Sequence, residues 1–271
     1  MTTLQKVIKY LAIAFALFLV ITIIGGIIGA IGLFGGFFVS DAVSDDMTTY
    51  QITGEIRDLK IEINAASLCI KEGDAFSVES NLKNLVVDQK DEQLVIKDTN
   101  KRFGKYENPI LTVYIPEGTQ FDIIELTTGA GRLSADSLFA RAIDFELGAG
   151  EVSIESLTAT SSADIEGGAG RITISGGALN NLDMDMGVGK LELTSALGGS
   201  SKLDLGIGTT DITLLGSKDN YSLDIEKGLG SISVDGDKVS DYGSFGNGNS
   251  KLEIHGGIGA INVSFEEQKA E

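Results

Sequence analysis

The chain has 271 residues, of which 35 are glycine and only 1 is cysteine, and its formal net charge is −18 at pH 7. A single cysteine excludes an internal disulfide, so the fold does not depend on one. The negative charge disfavours nucleic acid and anionic lipid as partners, because both carry dense negative charge of their own.

The first predicted element is a membrane anchor. Residues 10–39 contain no charged side chain, and a helix of that length would span about 45 Å, more than the roughly 30 Å core of a bilayer. Lys6 and Lys9 precede this segment and Asp41 follows it, so residues 1–9 are expected in the cytoplasm and the C-terminal domain outside the cell. The sequence therefore predicts a single-pass cell-membrane protein, with a linker at residues 40–47.

Two further interpretations of this segment stay open. Ala42–Ser44 could be the cleavage site of a signal peptide, although the apolar region of such a peptide normally has only about 7–15 residues. The pairs Gly25 with Gly29 and Gly32 with Gly36 have the spacing that lets two membrane helices pack closely. They predict a homodimer through the anchor.

Residues 48–120 predict an irregular N-terminal β cap. Short alternating stretches of unequal spacing predict these strands: Lys60–Ile63, Ser67–Ile70, Phe76–Glu79, Leu85–Asp88, Gln93–Lys97 and Ile110–Ile115. The first two resemble one degenerate repeat, with residues 64–67 at its corner.

Residues 121–265 contain seven G-x-G triplets, each flanked by alternating apolar residues. The triplets begin at Gly129, Gly148, Gly168, Gly187, Gly206, Gly228 and Gly257. A period of 19–20 residues over the first steps is typical of a stacked repeat protein. The pattern predicts an all-β fold, a parallel β-solenoid with coils of about 19–20 residues, and a disordered tail at 266–271. An antiparallel meander or sandwich is the alternative, since glycine also serves hairpin turns.

Acidic residues recur at fixed positions before the triplets. Two positions before them lie Glu146, Glu166, Asp185, Asp204 and Glu226, and four positions before them lie Glu125, Asp144, Asp164, Asp183, Asp224 and Glu253. In a parallel stack each set becomes a column of carboxylates, a donor type that suits Ca²⁺ or Mg²⁺. We consider the first set a candidate metal site. The simpler interpretation is a solvated acidic face, partly neutralised by Arg132, Arg171 and Lys190.

The remaining motifs give no catalytic site. No triplet has the third glycine of a dinucleotide-binding loop, and neither a P-loop nor a G-x-S-x-G sequence is present. His255 is the only histidine, and no nucleophile accompanies it. The sequence predicts no enzyme and no cofactor, with a wall-polysaccharide hydrolase as the remote alternative because stacked acids imitate paired catalytic carboxylates.

The stretch Ser240–Ser250 predicts a loop before the last repeat. Tyr242 and Phe245 are its large side chains, and surface loops often carry recognition. These two residues are candidate partner-binding residues. The alternative is a bulge without a ligand.

The chain resembles the putative-adhesin β-strand-repeat family of bacterial membrane and surface proteins over about residues 50–265. The resemblance lies in Ile110–Gly118 (ILTVYIPEG), in the G-x-G units of Ile124–Gly259 and in the long insertion before the last unit. That family is similar to the toast-rack domains found beside envelope-stress signalling systems of Gram-positive bacteria, and it supplies no catalytic residues to carry over.

These observations lead to two functional hypotheses. The first is a non-enzymatic, membrane-anchored, extracytoplasmic scaffold for binding or adhesion in the cell envelope. The second is an accessory sensor or regulator of envelope-stress signalling that acts through a membrane partner.

Overall fold

The computed structural model describes residues 42–100, 107–226, 228–239 and 242–267. The predicted cytoplasmic segment, the anchor with its four spaced glycines, and residues 268–271 of the predicted tail lie outside these ranges. Within the described ranges, no helix is long and apolar enough to cross a membrane.

The described chain is built from β-strands, which confirms the all-β class; a single 3₁₀ turn, Lys218–Asn220, is the exception in these ranges. The strands are β1 (Val43–Gln51), β2 (Asp58–Gly73), β3 (Ser77–Leu82), β4 (Leu85–Lys90), β5 (Gln93–Asp98), β6 (Ile110–Pro116), β7 (Phe121–Ile174), β8 (Gly177–Asn180), β9 (Leu182–Gly198), β10 (Ser200–Leu215), β11 (Tyr221–Glu226), β12 (Leu229–Val234), β13 (Asp237–Val239), β14 (Tyr242–Phe245) and β15 (Ser250–Glu266).

The repeats pair with one another in parallel. β7 pairs with β2 and β9, and β10 pairs with β9 and β15, all in the parallel direction. In these ladders Ile165 lies opposite Met184, and Met184 lies opposite Leu203. Each residue therefore faces its equivalent in the next repeat, as the constant period of the triplets predicts.

The inward column three positions before each triplet forms the centre of the core. Its members are Leu126, Phe145, Ile165, Met184, Leu203, Ile225 and Ile254, and none is more than 1% exposed. Side chains alternate between the two faces of a strand, so the residues on either side of this column point outward. That alternation puts the acidic positions on the surface.

The glycines of the triplets allow the coils to approach one another closely at this corner. Gly208 has a φ of +154°, and a Cβ built on it would overlap the carbonyl oxygen of Gly189 in the neighbouring coil. Gly150 has a φ of +150° and stands in the same relation to Gly131. Only glycine fits such a backbone, so the triplets are structural.

The last two repeats do not stack in chain order. β15, which carries the seventh triplet, pairs with β10 on one side and with β11 and β12 on the other. The repeat of Gly228, the sixth in the sequence, is therefore the outermost coil, and the seventh repeat lies inside it. The reason lies in the intervening segment, where β13 and β14 pair antiparallel with β12 and β11 and cover their outer edges. The chain then returns between coils that are already placed.

The N-terminal end has a matching arrangement. β2 pairs with β7 on one side and with β5 and β6 on the other, so β5 and β6 together form one further coil. β4 and β3 cover that coil as antiparallel partners of β5 and β6, and β1 pairs antiparallel with β3. The predicted cap thus contains two parallel coils beneath its irregular strands.

One predicted boundary was wrong. β1 begins at Val43, inside the segment 40–47 that we expected to be a linker. Ala42 is buried and Val43 packs against the core, while the Ala42 carbonyl accepts a hydrogen bond from the Lys83 N–H. These apolar contacts and the pairing with β3 hold the segment as a strand.

Candidate functional site

The residues two positions before the triplets form one outward column, which we call column A. Its register is given by the pairs Glu166 with Asp185, Asp185 with Asp204, Asp204 with His255, and His255 with Glu226. The structure therefore brings the predicted carboxylates into one column. It also places His255 between Asp204 and Glu226, because β15 inserts there.

The residues four positions before the triplets form a second column, column B, beside the first. Asp164 pairs with Asp183, which pairs with Lys202. At the N-terminal end the column continues from Glu125 to Lys60. Column B thus has a lysine on each side of its central acids.

Basic side chains neutralise the carboxylates toward the two ends of the columns. Lys60 Nζ lies 2.5 Å from Glu125 Oε2, and Lys202 Nζ lies 2.5 Å from Asp204 Oδ2. The hydrogen bond from Lys202, followed by the bond with His255, lowers the pKa of Asp204 below its usual value. These contacts offset part of the negative charge at the ends of the columns.

His255 is held between two carboxylates. Its Nδ1 lies 2.7 Å from Asp204 Oδ1, and its Nε2 lies 2.7 Å from Glu253 Oε1. A neutral imidazole has only one N–H, so both contacts are hydrogen bonds only when the ring is protonated. The bond to Asp204 is the largest cause that raises the pKa of His255, and the charge of Glu253 adds to it.

The middle of the columns has no ion pair of this kind in the described ranges, although the pKa of Lys202, which its hydrogen bond to Asp204 raises most, is also raised by the charges of Asp183 and Asp185. We call this surface the central carboxylate patch; its members are Asp144, Glu146, Asp164, Glu166, Asp183 and Asp185. Among the described residues, no basic nitrogen lies within 4.0 Å of any of these carboxylates. Partial burial, and then the charges of Asp144 and Asp183, raise the pKa of Asp164 above its usual value. The patch is therefore an anionic surface under mutual repulsion.

Arg132 and Lys190, which we expected to offset the acidic face, lie across the corner and bind other acids. Arg132 contacts Glu151, and Lys190 contacts Glu192 and Asp211. Both side chains therefore form ion pairs with acids that follow the triplets, and not with the acids of columns A and B. The expectation that they neutralise the columns was wrong for these two residues, because the glycine corner turns their side chains onto another face.

The carboxylates of the patch lie side by side rather than around one point. In the part of the chain that the structure describes, no group of three or more His, Cys, Asp or Glu side chains is placed to hold a metal ion. Parallel ladders keep equivalent side chains about 4.8 Å apart, which favours a row over a cage. Binding of Ca²⁺ or Mg²⁺ to column A stays a prediction.

The two candidate partner-binding aromatics lie on β14, where we expected a loop. Tyr242 is 61% exposed, and its hydroxyl donates a hydrogen bond of 3.1 Å to Asp224 Oδ1. Phe245 is partly buried and packs against the core. Phe245 therefore helps to close the end of the stack, and Tyr242 is the more accessible of the pair.

The middle residues of the triplets form an exposed column that we did not predict. It begins with Ala130, Ala149 and Ala169 and continues with Val188, Ile207, Ile258 and Leu229. The signal was present in the sequence, since the middle letter of G-x-G changes from alanine to larger apolar residues along the chain.

Comparisons with solved structures find distant similarities. A putative adhesin from Bacteroides fragilis NCTC 9343 is 13% identical, with 81% of this chain and 98% of that chain covered and a TM-score of 0.45. A putative cell adhesion protein from Clostridium sporogenes ATCC 15579 is 15% identical, with 82% and 99% covered and a TM-score of 0.41. A putative adhesin from Parabacteroides distasonis ATCC 8503 is 14% identical, with 84% and 100% covered and a TM-score of 0.41.

No curated protein matches the chain. Family comparison gives a match over residues 56–255, from just before β2 to the first residues of β15. The chain belongs to the Toastrack DUF4097 family.

Proposed function

We propose that the protein is a non-enzymatic scaffold that binds a cationic partner in the cell envelope. Residues 10–39 would anchor it in the cell membrane, and the domain that follows would lie outside the cytoplasm as a β-solenoid. The uncharged length of the anchor, the preceding Lys6 and Lys9, and the in-register parallel ladders support this arrangement.

The observation that carries the proposal is the central carboxylate patch. Its acids lie on coils whose backbones are fixed by continuous ladders, so the charges keep their spacing without a ligand. A rigid anionic surface attracts and orients a basic partner, because little side-chain and backbone order must be created on binding. Burial, and then repulsion by the neighbouring acids, raise the pKa of Asp164, and bound positive charge would relieve that repulsion.

The environment of the single histidine supports a role without catalysis. Both ring nitrogens of His255 are engaged by carboxylates, so neither is available to take a proton from a substrate. Cys69 accepts a hydrogen bond from the hydroxyl of Ser134 and is not paired with a base in that contact. A binding function requires neither residue.

Titration with decalysine tests the proposal. Full-length protein in phosphatidylcholine nanodiscs would be titrated by calorimetry, beside a patch variant (Glu166→Gln, Asp183→Asn, Asp185→Asn). A control variant (Glu117→Gln, Glu155→Gln, Asp237→Asn) removes the same charge from exposed acids outside the columns. We expect the patch variant to bind on the order of tenfold more weakly, because three screened ion pairs each contribute about 0.2–1 kcal/mol.

The control variant should bind decalysine nearly as tightly as the wild type. An equal loss of affinity in both variants would show that decalysine binding depends only on the net charge of the protein. That result would refute a specific binding surface. A parallel titration with Ca²⁺ tests the metal prediction for column A, and a response that persists in the patch variant would contradict it.

A further inference from the structure

The exposed apolar column at the glycine corner is continuous over four coils. We call it the corner ridge; its members are Val188, Ile207, Ile258 and Leu229. Val188 pairs with Ile207, which pairs with Ile258, and Ile258 pairs with Leu229. Val188 is 51% exposed and the other three are partly exposed. A glycine lies on both sides of each ridge residue.

The fold does not require large side chains on this ridge. Ala130, Ala149 and Ala169 occupy the same position in the preceding coils, with the same glycine corner around them. Alanine therefore satisfies the backbone geometry. A valine, a leucine and two isoleucines in a row, of which Val188 is exposed and the other three are partly exposed, are typical of an interaction surface.

The surroundings of the ridge differ in charge on its two sides. Toward columns A and B, these four coils carry six acids together with Lys202 and His255. The acids are Asp183, Asp185, Asp204, Asp224, Glu226 and Glu253. On the opposite side the positions after the triplets are Thr209, Ala260 and Ser231. Lys190, the remaining one, already contacts Glu192 and Asp211. The ridge thus has one anionic side and one nearly neutral side.

These observations point to a partner of defined chemistry. We propose that the corner ridge binds an amphipathic helix of another protein, whose apolar stripe lies on Val188, Ile207, Ile258 and Leu229 and whose lysines and arginines on one side face the carboxylate columns. This proposal rests on the proposed function, since it names the kind of cationic partner that the acidic surface accepts.

The spacing of residues along the corner ridge agrees with the spacing of an apolar stripe on an α-helix. Coils in a parallel ladder are about 4.8 Å apart, and one turn of an α-helix rises 5.4 Å, so a helix along the ridge places one apolar residue near each coil. Four coils span about 14 Å, which corresponds to roughly ten helical residues. Column A lies three residues from the ridge, about 10 Å of strand, within reach of a long basic side chain at the edge of a helix about 10 Å wide.

Two other occupants fit the surface less well. A bilayer would bring lipid headgroups against the carboxylates beside the ridge, and anionic lipid would be repelled. A second copy of this chain would bring the same ridge with the same acids beside it, and thus no basic stripe. A basic amphipathic helix complements both the apolar and the anionic parts of the surface.

The test uses a synthetic helix of about 14 residues, built from leucine, lysine and alanine, with a leucine stripe and lysines along one side of it. A scrambled peptide of the same composition has no stripe. Full-length protein in phosphatidylcholine nanodiscs would be compared with a ridge variant (Val188→Ala, Ile207→Ala, Ile258→Ala, Leu229→Ala). The fold tolerates alanine at this position, as Ala130 and Ala149 show, and thermal melting would verify that the variant is folded.

We expect the ridge variant to bind the helix about tenfold or more weakly than the wild type, because several buried methyl contacts are lost. Its affinity for decalysine should stay unchanged, and the scrambled peptide should show no difference between the two proteins. Equal helix binding by wild type and ridge variant would overturn the inference while leaving the decalysine result, and with it the proposed function, intact.

Two additional outcomes would also overturn it. Ridge-dependent binding of the nanodisc-held protein to phosphatidylcholine vesicles would identify a lipid occupant instead. Ridge-dependent dimerisation in analytical ultracentrifugation would identify a second copy.

Discussion

His255 is the residue whose charge state the structure defines most directly. It faces Asp204 and Lys202 on β10, Asp224 and Glu226 on β11, and Glu253 on its own strand. Its two nitrogens each lie 2.7 Å from a carboxylate oxygen, and both can donate a hydrogen bond only when the ring is protonated. The protonated ring of His255 therefore links β15 to β10 through Asp204, and the strength of this contact depends on pH.

We predict that this contact stabilises the fold below about pH 6.5 and weakens at higher pH. The folded pKa of His255 is raised above its ordinary value of 6.5, so the contribution is complete below that value and is lost as pH rises through the raised pKa. The pKa of Asp204 is lowered from 3.8, so its share is lost only as pH falls through that lowered pKa. Solvent screening limits the effect to about 1 kcal/mol or less.

Thermal unfolding of the wild type and of His255→Gln between pH 5 and pH 9 measures this effect. Near pH 5 the wild type should melt a few degrees higher than His255→Gln. This difference between the two proteins should shrink toward pH 9. A difference that is constant with pH would contradict a protonated bridge.

Asp164 and Asp204 are predicted to respond in opposite ways to loss of charge. Asp164→Asn should raise the melting temperature at low ionic strength, because it removes a partly buried charge among Asp144, Asp183 and Asp185. Asp204→Asn should lower it, because Lys202 and His255 lose the negative charge that both of them contact. Each change is expected to be about 1 kcal/mol or less and to shrink in high salt. Calorimetry of both variants at two salt concentrations measures the two changes in melting temperature. Changes of the same sign would contradict the distinction between repelling acids at the centre of the columns and ion-paired acids at their ends.

At the scale of the structural elements, the corner is the most constrained part of each coil. We predict that Gly208→Ala destabilises the protein strongly, by about 3 kcal/mol or more, since the new Cβ overlaps the Gly189 carbonyl and the backbone φ is positive. Val188→Ala, at the middle of a neighbouring corner, should cost far less because its side chain is exposed. Chemical denaturation of the two variants makes the comparison, and similar losses would show that the corner relaxes easily.

The elements of the fold were largely predictable from the sequence, for a physical reason. A strict period with alternating apolar residues permits an in-register parallel stack, and β7, β9 and β10 pair in that way. The columns of outward acids followed from the same register. The pairs made by Lys202 and His255 did not follow, because they depend on which coil lies beside which.

The order of the coils was not predictable, because every repeat offers a similar edge to every other. β11 could pair with β10 or with β15 on pattern alone, and the structure selects β15. The selection depends on β13 and β14, whose short strands cover the outer coil before the last repeat is reached. The corner ridge does not depend on this order, because Val188, Ile207, Leu229 and Ile258 belong to consecutive repeats and would also be neighbours in chain order.

At the scale of the whole molecule, the two ends are built alike although their sequences differ. β2 near one end and β15 near the other are each inserted between coils that are contributed by other parts of the chain. Antiparallel strands then cover the outer coils, which protects their hydrogen-bonding edges from pairing with another chain. The acidic surface and the corner ridge thus lie on an array that is closed at both described ends.

The inserted coils also determine how such an array can change its length in evolution. A repeat added beyond β14 or beyond β4 would have to displace the strands that cover those edges, whereas a repeat duplicated within β7, β9 or β10 meets an identical neighbour on each side. Growth is therefore confined to the interior, between β2 and β15. Relatives with longer or shorter arrays should differ in the number of central coils, and their two end assemblies should be retained as fixed units.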